Sequence, residues 1–474
     1  MQPRLPLALA LSPLLLAAAC APPLDPRPDI AAAAAEVQRR EGSEPGGFRP
    51  DWTYPPPPAE QAGFEGTGEL SADRCVALAL RNNPAVRAGL AQVAQSRADL
   101  VQSGLLPNPV LAIGTGWPLP GGDAQFTFGV GVMQQLMALL QRDDRMAAAD
   151  AELRARVLSL SDLALTTAAD ARAAHARVLF AQRGLDLARG AVDVSERAVA
   201  AEQQRVAAGE STSLSINRHQ ILLRRLQSQV RSRELDLALR KRELLAVIGA
   251  PGAPAEWSAR SDDAATDPPL DLDEPAAVTL ALDQRLDVAA AGAERRAALA
   301  RVGIEETGRY GDFSIGAFYT LTDAGNNELG PSLEIPIPIF DTGDARIAGA
   351  RAALIGADEA FAQVRNRATV EVRLAYVRAR SLHAEAYEYQ VRVVEIAEQN
   401  MTLAQKSFKA GEADTTTILN VEENLVETRA RLLELQEESA LAAIELRRAA
   451  GGSLRPLAPE AGPASAVDPD RRSR

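Results

Sequence analysis

The sequence predicts a mainly α-helical protein with a small transmembrane β part, built as two tandem helix–strand–strand–helix–helix repeats. Three observations carry that prediction. Long stretches at about 143–208, 212–249, 344–409 and 414–450 contain no proline and few turn residues. Residues match one another at a nearly constant spacing along most of the chain. Four short stretches alternate apolar with small or polar residues at period two.

Composition agrees with long helices. Only 4% of the 474 residues are aromatic, and Ala, Leu, Arg and Glu dominate, which suits extended helices better than a mixed globular core. The formal net charge of −12 argues against nucleic acid, because no basic stripe could neutralise phosphates. The same acidity suits either a conduit for cations or simple solubility.

The N-terminus reads as an export signal. Arg4 supplies the charge, Leu5 to Leu16 form the apolar run, and Ala17, Ala18 and Ala19 precede Cys20. The run is too short to span a bilayer, and no later stretch reaches ~18 uninterrupted apolar residues. Small residues before Cys20 resemble a bacterial lipobox, in which the cysteine is acylated. Ala17 stands where such boxes usually carry Leu, and an ordinary cleavage after an Ala-x-Ala site is the alternative. Ala21 after the cysteine fits outer-membrane sorting. With Cys20 acylated, Cys75 is the remaining cysteine, so no intramolecular disulfide forms. Its apolar setting reads as a small core residue.

Composition breaks divide the chain. Residues 1–19 are signal peptide and 20–70 a lipid-anchored, Pro-rich segment expected to be extended or irregular rather than helical. Residues 71–250 form repeat 1, with strands at about 109–117 and 125–135. Residues 251–274 are a linker rich in Pro and Asp. Residues 275–451 form repeat 2, with strands at about 311–321 and 329–340, and 452–474 are a polar tail expected to be disordered. The repeat is read from matched positions. Leu78-Ala79-Leu80 corresponds to Leu280-Ala281-Leu282, Ile113-Gly114 to Ile315-Gly316, Ala208-Gly209-Glu210 to Ala410-Gly411-Glu412 and Gly249 to Gly451, all 202 residues apart. Asp143 and Arg145 correspond to Asp344 and Arg346 at 201. That one-residue slip has to be absorbed in a helical stretch.

Each unit opens with a helical run, 71–104 and 275–308, marked by Ser71 and Asp73 in one copy and Asp273-Glu274-Pro275 in the other. After the strands comes a run of about 65 residues, roughly 100 Å of helix at 1.5 Å per residue, ended by Gly209 or Gly411. A second long helix returns to Gly249 or Gly451. Helices of that length pack side by side along apolar seams.

The strand stretches carry the membrane signal. Phe126, Phe128, Val130 and Val132 alternate with Thr127, Gly129 and Gly131; Phe313, Ile315, Ala317, Tyr319 and Leu321 alternate with small residues and Phe318. Strands of ~10 residues with one apolar face suit a membrane barrel. Four strands cannot close one, since the smallest membrane barrels have about eight, and an open edge in lipid leaves backbone groups unsatisfied. The chain therefore has to oligomerise, as two copies or three.

The whole pattern, over about residues 70–451, resembles the TolC-like outer-membrane efflux factor family. Ile335-Pro336-Ile337-Pro338-Ile339-Phe340-Asp341-Thr342-Gly343 looks like that family's exit from strand to long helix. The tips Arg205 to Glu210 and Ser407 to Glu412 look like its helix–turn–helix ends, with Phe408 matching the family's aromatic and Val206 departing from it. The lipobox is common among members serving resistance-nodulation-division pumps, and the wording around Phe313 to Phe340 weakly resembles the heavy-metal branch. The resemblance implies a homotrimer, a twelve-stranded β-barrel in outer-membrane lipid and a twelve-helix α-barrel across the periplasm. It implies that Ala208, Gly209, Glu210, Ala410, Gly411 and Glu412 contact a periplasmic membrane-fusion adaptor, with an inner-membrane pump supplying energy. Acidic residues ring the family's entrance six and nine places after the second tip glycine. Here those positions are Thr417 and Asn420, while Asp414, Glu412, Glu422 and Glu423 lie nearby. Asp414, Thr417 and Asn420 are the entrance candidates.

No cofactor, resident metal or catalytic set is expected. His175, His219 and His383 are scattered along helices with spacings unlike a metal site, and G-x-S-x-G, H-E-x-x-H and P-loop motifs are missing. The expected function is a passive outer-membrane duct for metal ions or drugs. The competing readings are a periplasmic helical lipoprotein scaffold without a pore and a type I secretion exit duct.

Overall fold

The structure is a computed structural model that describes residues 23–41, 64, 66–117, 126–261, 272–322 and 327–455. The described residues are mainly helical with two small sheets. In order the elements are α1 (Arg27–Glu41), β1 (Thr67–Leu70), α2 (Ala72–Asn82), α3 (Pro84–Gly104), β2 (Val110–Gly116), β3 (Thr127–Gln135), α4 (Met137–Leu140), α5 (Arg142–Ala207), α6 (Ser213–Val247), β4 (Glu256–Ala259), α7 (Glu274–Gln284), α8 (Leu286–Thr307), β5 (Ser314–Thr322), β6 (Asn327–Glu334), α9 (Asp344–Glu388), a π turn (Tyr389–Val394), α10 (Glu395–Lys409) and α11 (Thr415–Ala449). Cys20, the 42–63 part of the Pro-rich segment and residues 456–474 of the tail lie outside the described residues.

Several expectations need correction. The Pro-rich segment contains a helix, α1, because five consecutive alanines follow Pro28 and no proline interrupts the next turns. Its Ile30, Ala33 and Val37 are fully buried, and Ser161 on α5 donates to the Ala33 carbonyl at 3.3 Å. The opening helical runs are each broken in two. Pro84 forces Asn83 into an extended conformation, where its side chain caps α3 by accepting from Ala85 N at 2.8 Å. At the second break the Arg285 side chain is drawn into a polar cluster. It donates to Asp287 and Glu371 at 2.8 Å each and to the Ala449 carbonyl at 3.1 Å. The 251–274 region holds a strand, β4, which pairs in parallel with β1 around the buried Trp257. The last strand ends at Glu334, not near 340, since Pro336 and Pro338 have no N–H to give a ladder.

Residues 202 apart do the same local work. Ser71 and Asp273 cap α2 and α7 by accepting from Arg74 N and Ala276 N. Thr212 and Asp414 cap α6 and α11 by accepting from Ser215 N and Thr417 N. His175 sits 2.9 Å from the Leu70 carbonyl, and Tyr376, 201 residues later, donates to the Leu272 carbonyl at 3.0 Å.

The slip has a physical location. On α5 the buried positions Ala174, Ala181, Ala188, Ser195 and Glu202 repeat in unbroken sevens. On the second long run Val372, Ala379 and Ala386 repeat in sevens, the next buried residue is Val394, eight on, and sevens resume from Ala397 to Ala404. The extra residue falls within the π turn, which adds one residue to a turn without rotating the seam out of register.

The long helices pack in a row. α6 lies on α5, α5 on α11, and α11 on α9 and α10. Among the described residues, α5 and α11 leave one large apolar side chain exposed between them, Val194. The outer members are different. α6 exposes Leu214, Ile221, Leu235 and Leu239, and the α9–α10 run exposes Leu374, Val377, Tyr387, Ile396 and Leu403 among others.

Asp162 on α5 faces the Arg285 cluster. Burial, with the Asp287 charge, pushes its carboxyl up to about 6 against the pull of Arg285, Arg448 and Arg367. A carboxyl raised in the folded state favours the protonated chain. Stability therefore falls as pH rises from about 4 through 6, by up to about 3 kcal/mol for a two-unit shift. Asp162→Asn is expected to raise the melting temperature at pH 7.5 and leave it unchanged below pH 4. Melting curves over pH 3.5–8 check this, and an unaltered pH slope in the variant contradicts it.

Candidate functional site

Two surfaces concentrate the unusual features: the four-stranded sheet and the far ends of the long helices. The sheet has the order β2-β3-β5-β6, antiparallel throughout. Its register aligns like with like across all four strands. Ile113, Val130, Tyr319 and Leu329 form one row, and Leu111, Val132, Ala317 and Pro331 the next. The opposite face pairs Gly114, Gly129, Thr320 and Glu328, then Ala112, Gly131, Phe318 and Gly330. One face is thus apolar and the other small or polar. The Phe318 ring lies where Gly330 leaves room, only 2.9 Å from the position a Cβ would take.

The apolar face lies open. Leu111, Ile113, Val132, Tyr319 and Leu329 are all exposed. Aromatic residues mark both ends of the strands. Trp117 packs edge-on against Phe126 with centroids 5.1 Å apart at one end. At the other, Tyr310 precedes β5 and the fully exposed Phe340 follows β6, beyond the exposed Ile335, Ile337 and Ile339. Nine residues of β5 at ~3.4 Å rise and ~40° tilt cross about 23 Å, close to the ~25 Å apolar band of a membrane barrel. Among the described residues, the strands at the two ends of the order, β2 and β6, each have a partner on one side only.

At the other pole the two helix turns are built alike. Gly209 and Gly411 have φ of 77° and 78°, a left-handed conformation that favours glycine. Glu210 N donates to the Arg205 carbonyl and Gly209 N to that of Val206, at 2.8 and 3.0 Å. Glu412 N and Gly411 N do the same to Ser407 and Phe408 at 2.8 and 3.1 Å. These paired bonds are the Schellman stop of a helix. Ala208, Gly209, Glu210, Ala410, Gly411 and Glu412 are all exposed.

The entrance candidates separate in role. Asp414 caps α11, accepting from Thr417 N at 2.8 Å and from the Thr417 hydroxyl at 2.7 Å. The hydroxyl and then the backbone bond hold its carboxyl below the usual range. Thr417 is thereby tied to Asp414, and Asn420 is exposed one turn further on. Glu422 does not supply surface charge. It lies on the buried face of α11, and burial pushes its carboxyl up, with His219 opposing and Glu423 reinforcing.

The sequence reading missed Glu202 and Arg205. Glu202 is buried on α5 and accepts from the Ser211 hydroxyl. Burial opposes its ionisation, but Ser211, Ser215, Arg205 and His219 together hold the carboxyl below its ordinary value. Arg205 reaches Glu202 at 3.3 Å and stacks over the Phe408 ring at 4.9 Å, joining one turn to the other. Arg218 adds a bond to Thr416 at 3.0 Å. The sevenfold spacing from Ala174 to Glu202 was the available signal for a buried acid. Among the described residues no three His, Cys, Asp or Glu side chains gather into a metal-ligating group, and no helix is long and apolar enough to cross a membrane.

Comparison with known proteins places this architecture. Residues 277–452 match the outer membrane efflux protein family. The cobalt-zinc-cadmium resistance protein CzcC of Cupriavidus metallidurans is 24% identical over 393 residues, covering 82% of this chain and 91% of CzcC. Structures of CusC, reported with conformational changes accompanying folding and transmembrane channel formation, superpose with a TM-score of 0.67 at 19% identity, covering 85% of this chain and 99% of CusC. The outer membrane protein VceC of Vibrio cholerae superposes at 0.63 and 19% identity, with 81% and 97% covered. The open-state MtrE outer membrane channel of Neisseria gonorrhoeae gives 0.63 at 18%, with 81% and 89% covered.

The Arg205–Phe408 stack generates a test. A partly exposed cation–π contact contributes about 0.5–1 kcal/mol, so Phe408→Leu is expected to leave global melting nearly unchanged. It should increase the rate of limited tryptic cleavage near Arg205 and Lys409 severalfold. Equal cleavage rates in the two proteins would remove the stack as a tie between the turns.

Proposed function

We propose that this chain is a TolC-like outer-membrane efflux factor that acts as the passive, trimeric exit duct of a tripartite efflux pump, carrying metal ions from periplasm to exterior. The observation that carries this reading is the open sheet. Among the described residues its apolar face is uncovered and each of its two outer strands is paired along one edge only. Three copies would supply twelve strands and close a barrel with that face toward lipid and the glycine-rich face toward the lumen. The row of long helices supports the same closure. Its exposed apolar side chains gather on the outer members, so α6 of one copy meets α9–α10 of the next. Distances from the turns agree: Leu235 is 26 residues from Gly209, and Tyr387 is 24 from Gly411.

In this reading the chain is a duplicated unit, with repeat 1 over 71–250 and repeat 2 over 275–451. The shared caps, turns and carbonyl contacts support it. Acylation of Cys20 would tether the segment preceding α1 to the outer membrane. Ala208 to Glu210 and Ala410 to Glu412 would meet a periplasmic adaptor, and an inner-membrane pump would supply the energy. The duct itself needs no catalytic group. Metal cations are the favoured cargo because CzcC is named for cobalt, zinc and cadmium resistance, and the net negative charge suits cations.

Purified protein in planar bilayers should conduct discrete single-channel currents, and its mass in detergent should be three times that of one chain. Cysteines at Leu235 and Tyr387 are expected to cross-link neighbouring copies. A conducting monomer, or a trimer that never conducts with or without its adaptor, would refute the duct. Ile113→Lys, with a charge on the apolar face, should cost about 2–4 kcal/mol per chain near mid-membrane and abolish insertion while leaving the helices folded by circular dichroism.

A further inference from the structure

Near the sheet the helices lie in the order α3, α5, α8, α9. One contact in this row, α5 on α8, joins repeat 1 to repeat 2 inside the chain. The counterpart of α5 is α9, 201 residues later, and that of α8 is α3, 202 residues earlier. Among the described residues these two stand at opposite ends of the row.

Their surfaces record the difference. Ala148, Ala151 and Ala155 share the face of α5 that carries Asp144, and all three are buried. The counterparts on α9 are Gly349, Ala352 and Gly356, all exposed, with open space beside both glycines. Ala290 and Ala297 of α8 are buried, and their counterparts on α3, Ala88 and Gln95, are exposed. A glycine costs a helix interior about 1 kcal/mol relative to alanine, and it admits a neighbouring helix closer than any side chain does.

Two contacts of the internal junction change character in a compensating way. Gly303 on α8 makes room for Asp144 on α5, whose Oδ2 lies 2.9 Å from the position a Cβ would take. The counterparts are Val101 and Ala345, so the bulk has moved from one helix to the other. Asp162 on α5 faces the charges of Arg285 and Asp287. The counterparts are Gln363, Asn83 and Ala85, so a charged contact has become an uncharged one on both sides at once. Asn83 accepts from Ala85 N through its side-chain oxygen, which leaves its amide NH2 to donate outward. The exposed Arg301–Glu152 ion pair is not replaced, since its counterparts are Asp99 and Ala353. Such a pair contributes at most about 1 kcal/mol.

We propose that α9 of one copy receives α3 of the next, with Ala345 set against Val101 and Gln363 set against Asn83. The exchanged pairs also keep like repeats apart. Val101 in the place of Gly303 would collide with Asp144, and Asp162 beside Asn83 would be a partly buried carboxylate facing no guanidinium. Conversely, Gly303 against Ala345 would leave a hole. Repeat 1 therefore meets repeat 2 at every junction of the ring, and discrimination comes from the misfit of the wrong pair as much as from the fit of the right one. This inference rests on the trimeric duct reading and adds which helices meet and at which residues.

Ala345→Asp is expected to raise the concentration at which the assembly in detergent dissociates by about tenfold or more. Adding Val101→Gly rebuilds the Gly303–Asp144 arrangement between copies and should restore the assembly. A single variant that assembles like the unmodified protein, or a double variant that is not rescued, overturns the pairing. Oxidation of a Val101→Cys/Ala345→Cys variant supplies a measurement without added bulk and decides if Ala345→Asp fails to fold. Linked dimers and trimers in denaturing gels are expected, whereas a link within one chain, or none, overturns the proposal. If Leu235→Cys/Tyr387→Cys links copies and this pair does not, the duct reading stands and the α3–α9 junction is wrong. If neither pair links and the unmodified protein sediments as a monomer, both fail.

Discussion

A backbone N–H or C=O left without a partner in hydrocarbon costs several kcal/mol, and among the described residues β2 and β6 each pair with another strand along one edge only. The sheet cannot satisfy the other edges alone. Four strands are too few to curl shut, and the apolar rows through Ile113 and Leu111 would be left in water. In the proposed duct, membrane insertion and assembly would thus be one event. The helical layer repeats the condition in weaker form. Its inner members cover their apolar surface, while α6 and α9–α10 leave theirs uncovered. Sheet and helices are each open at their two outer members, and one symmetric association would serve both.

Between sheet and turns lies a belt that holds the layers in register. Arg285 links α7–α8 to α9 through Glu371 and to the end of α11 through the Ala449 carbonyl. Arg40 of α1 donates to the neighbouring Gln284 carbonyl at 3.0 Å, so the N-terminal helix touches both halves of the chain. The β1–β4 pair adds a second link across the sequence, with Trp257 buried beneath Lys241. Firmness is concentrated in this belt. The main buried cluster gathers α1, α2, α3, α5 and the end of α6, whereas the turns depend on a few contacts.

The two halves use the same stops and caps, yet their long helices are not built alike. Ser71 and Asp273, or Thr212 and Asp414, are different residues doing one job, because any short side-chain oxygen can accept from the third backbone N–H. The π turn breaks this equality. It allows one additional residue without disturbing buried positions on either side.

Much of this was legible in the sequence. Proline-free runs marked the long helices, glycines at 209 and 411 marked their ends, and alternation marked the strands of the larger sheet, because each is a local backbone or patterning constraint. The α1 helix could have been read from its alanines had Pro28 been taken as a start signal. Other features are non-local. Strand order and register, which align four apolar rows on one face, depend on pairings between residues almost two hundred positions apart. The partner of Arg205 is a ring on another hairpin, and Glu422 is buried only because α11 packs beside α6 and its His219. The slip of one residue was visible as a number in the sequence. Only the packed helix decided where it goes, because only there does a seam exist whose register must be kept.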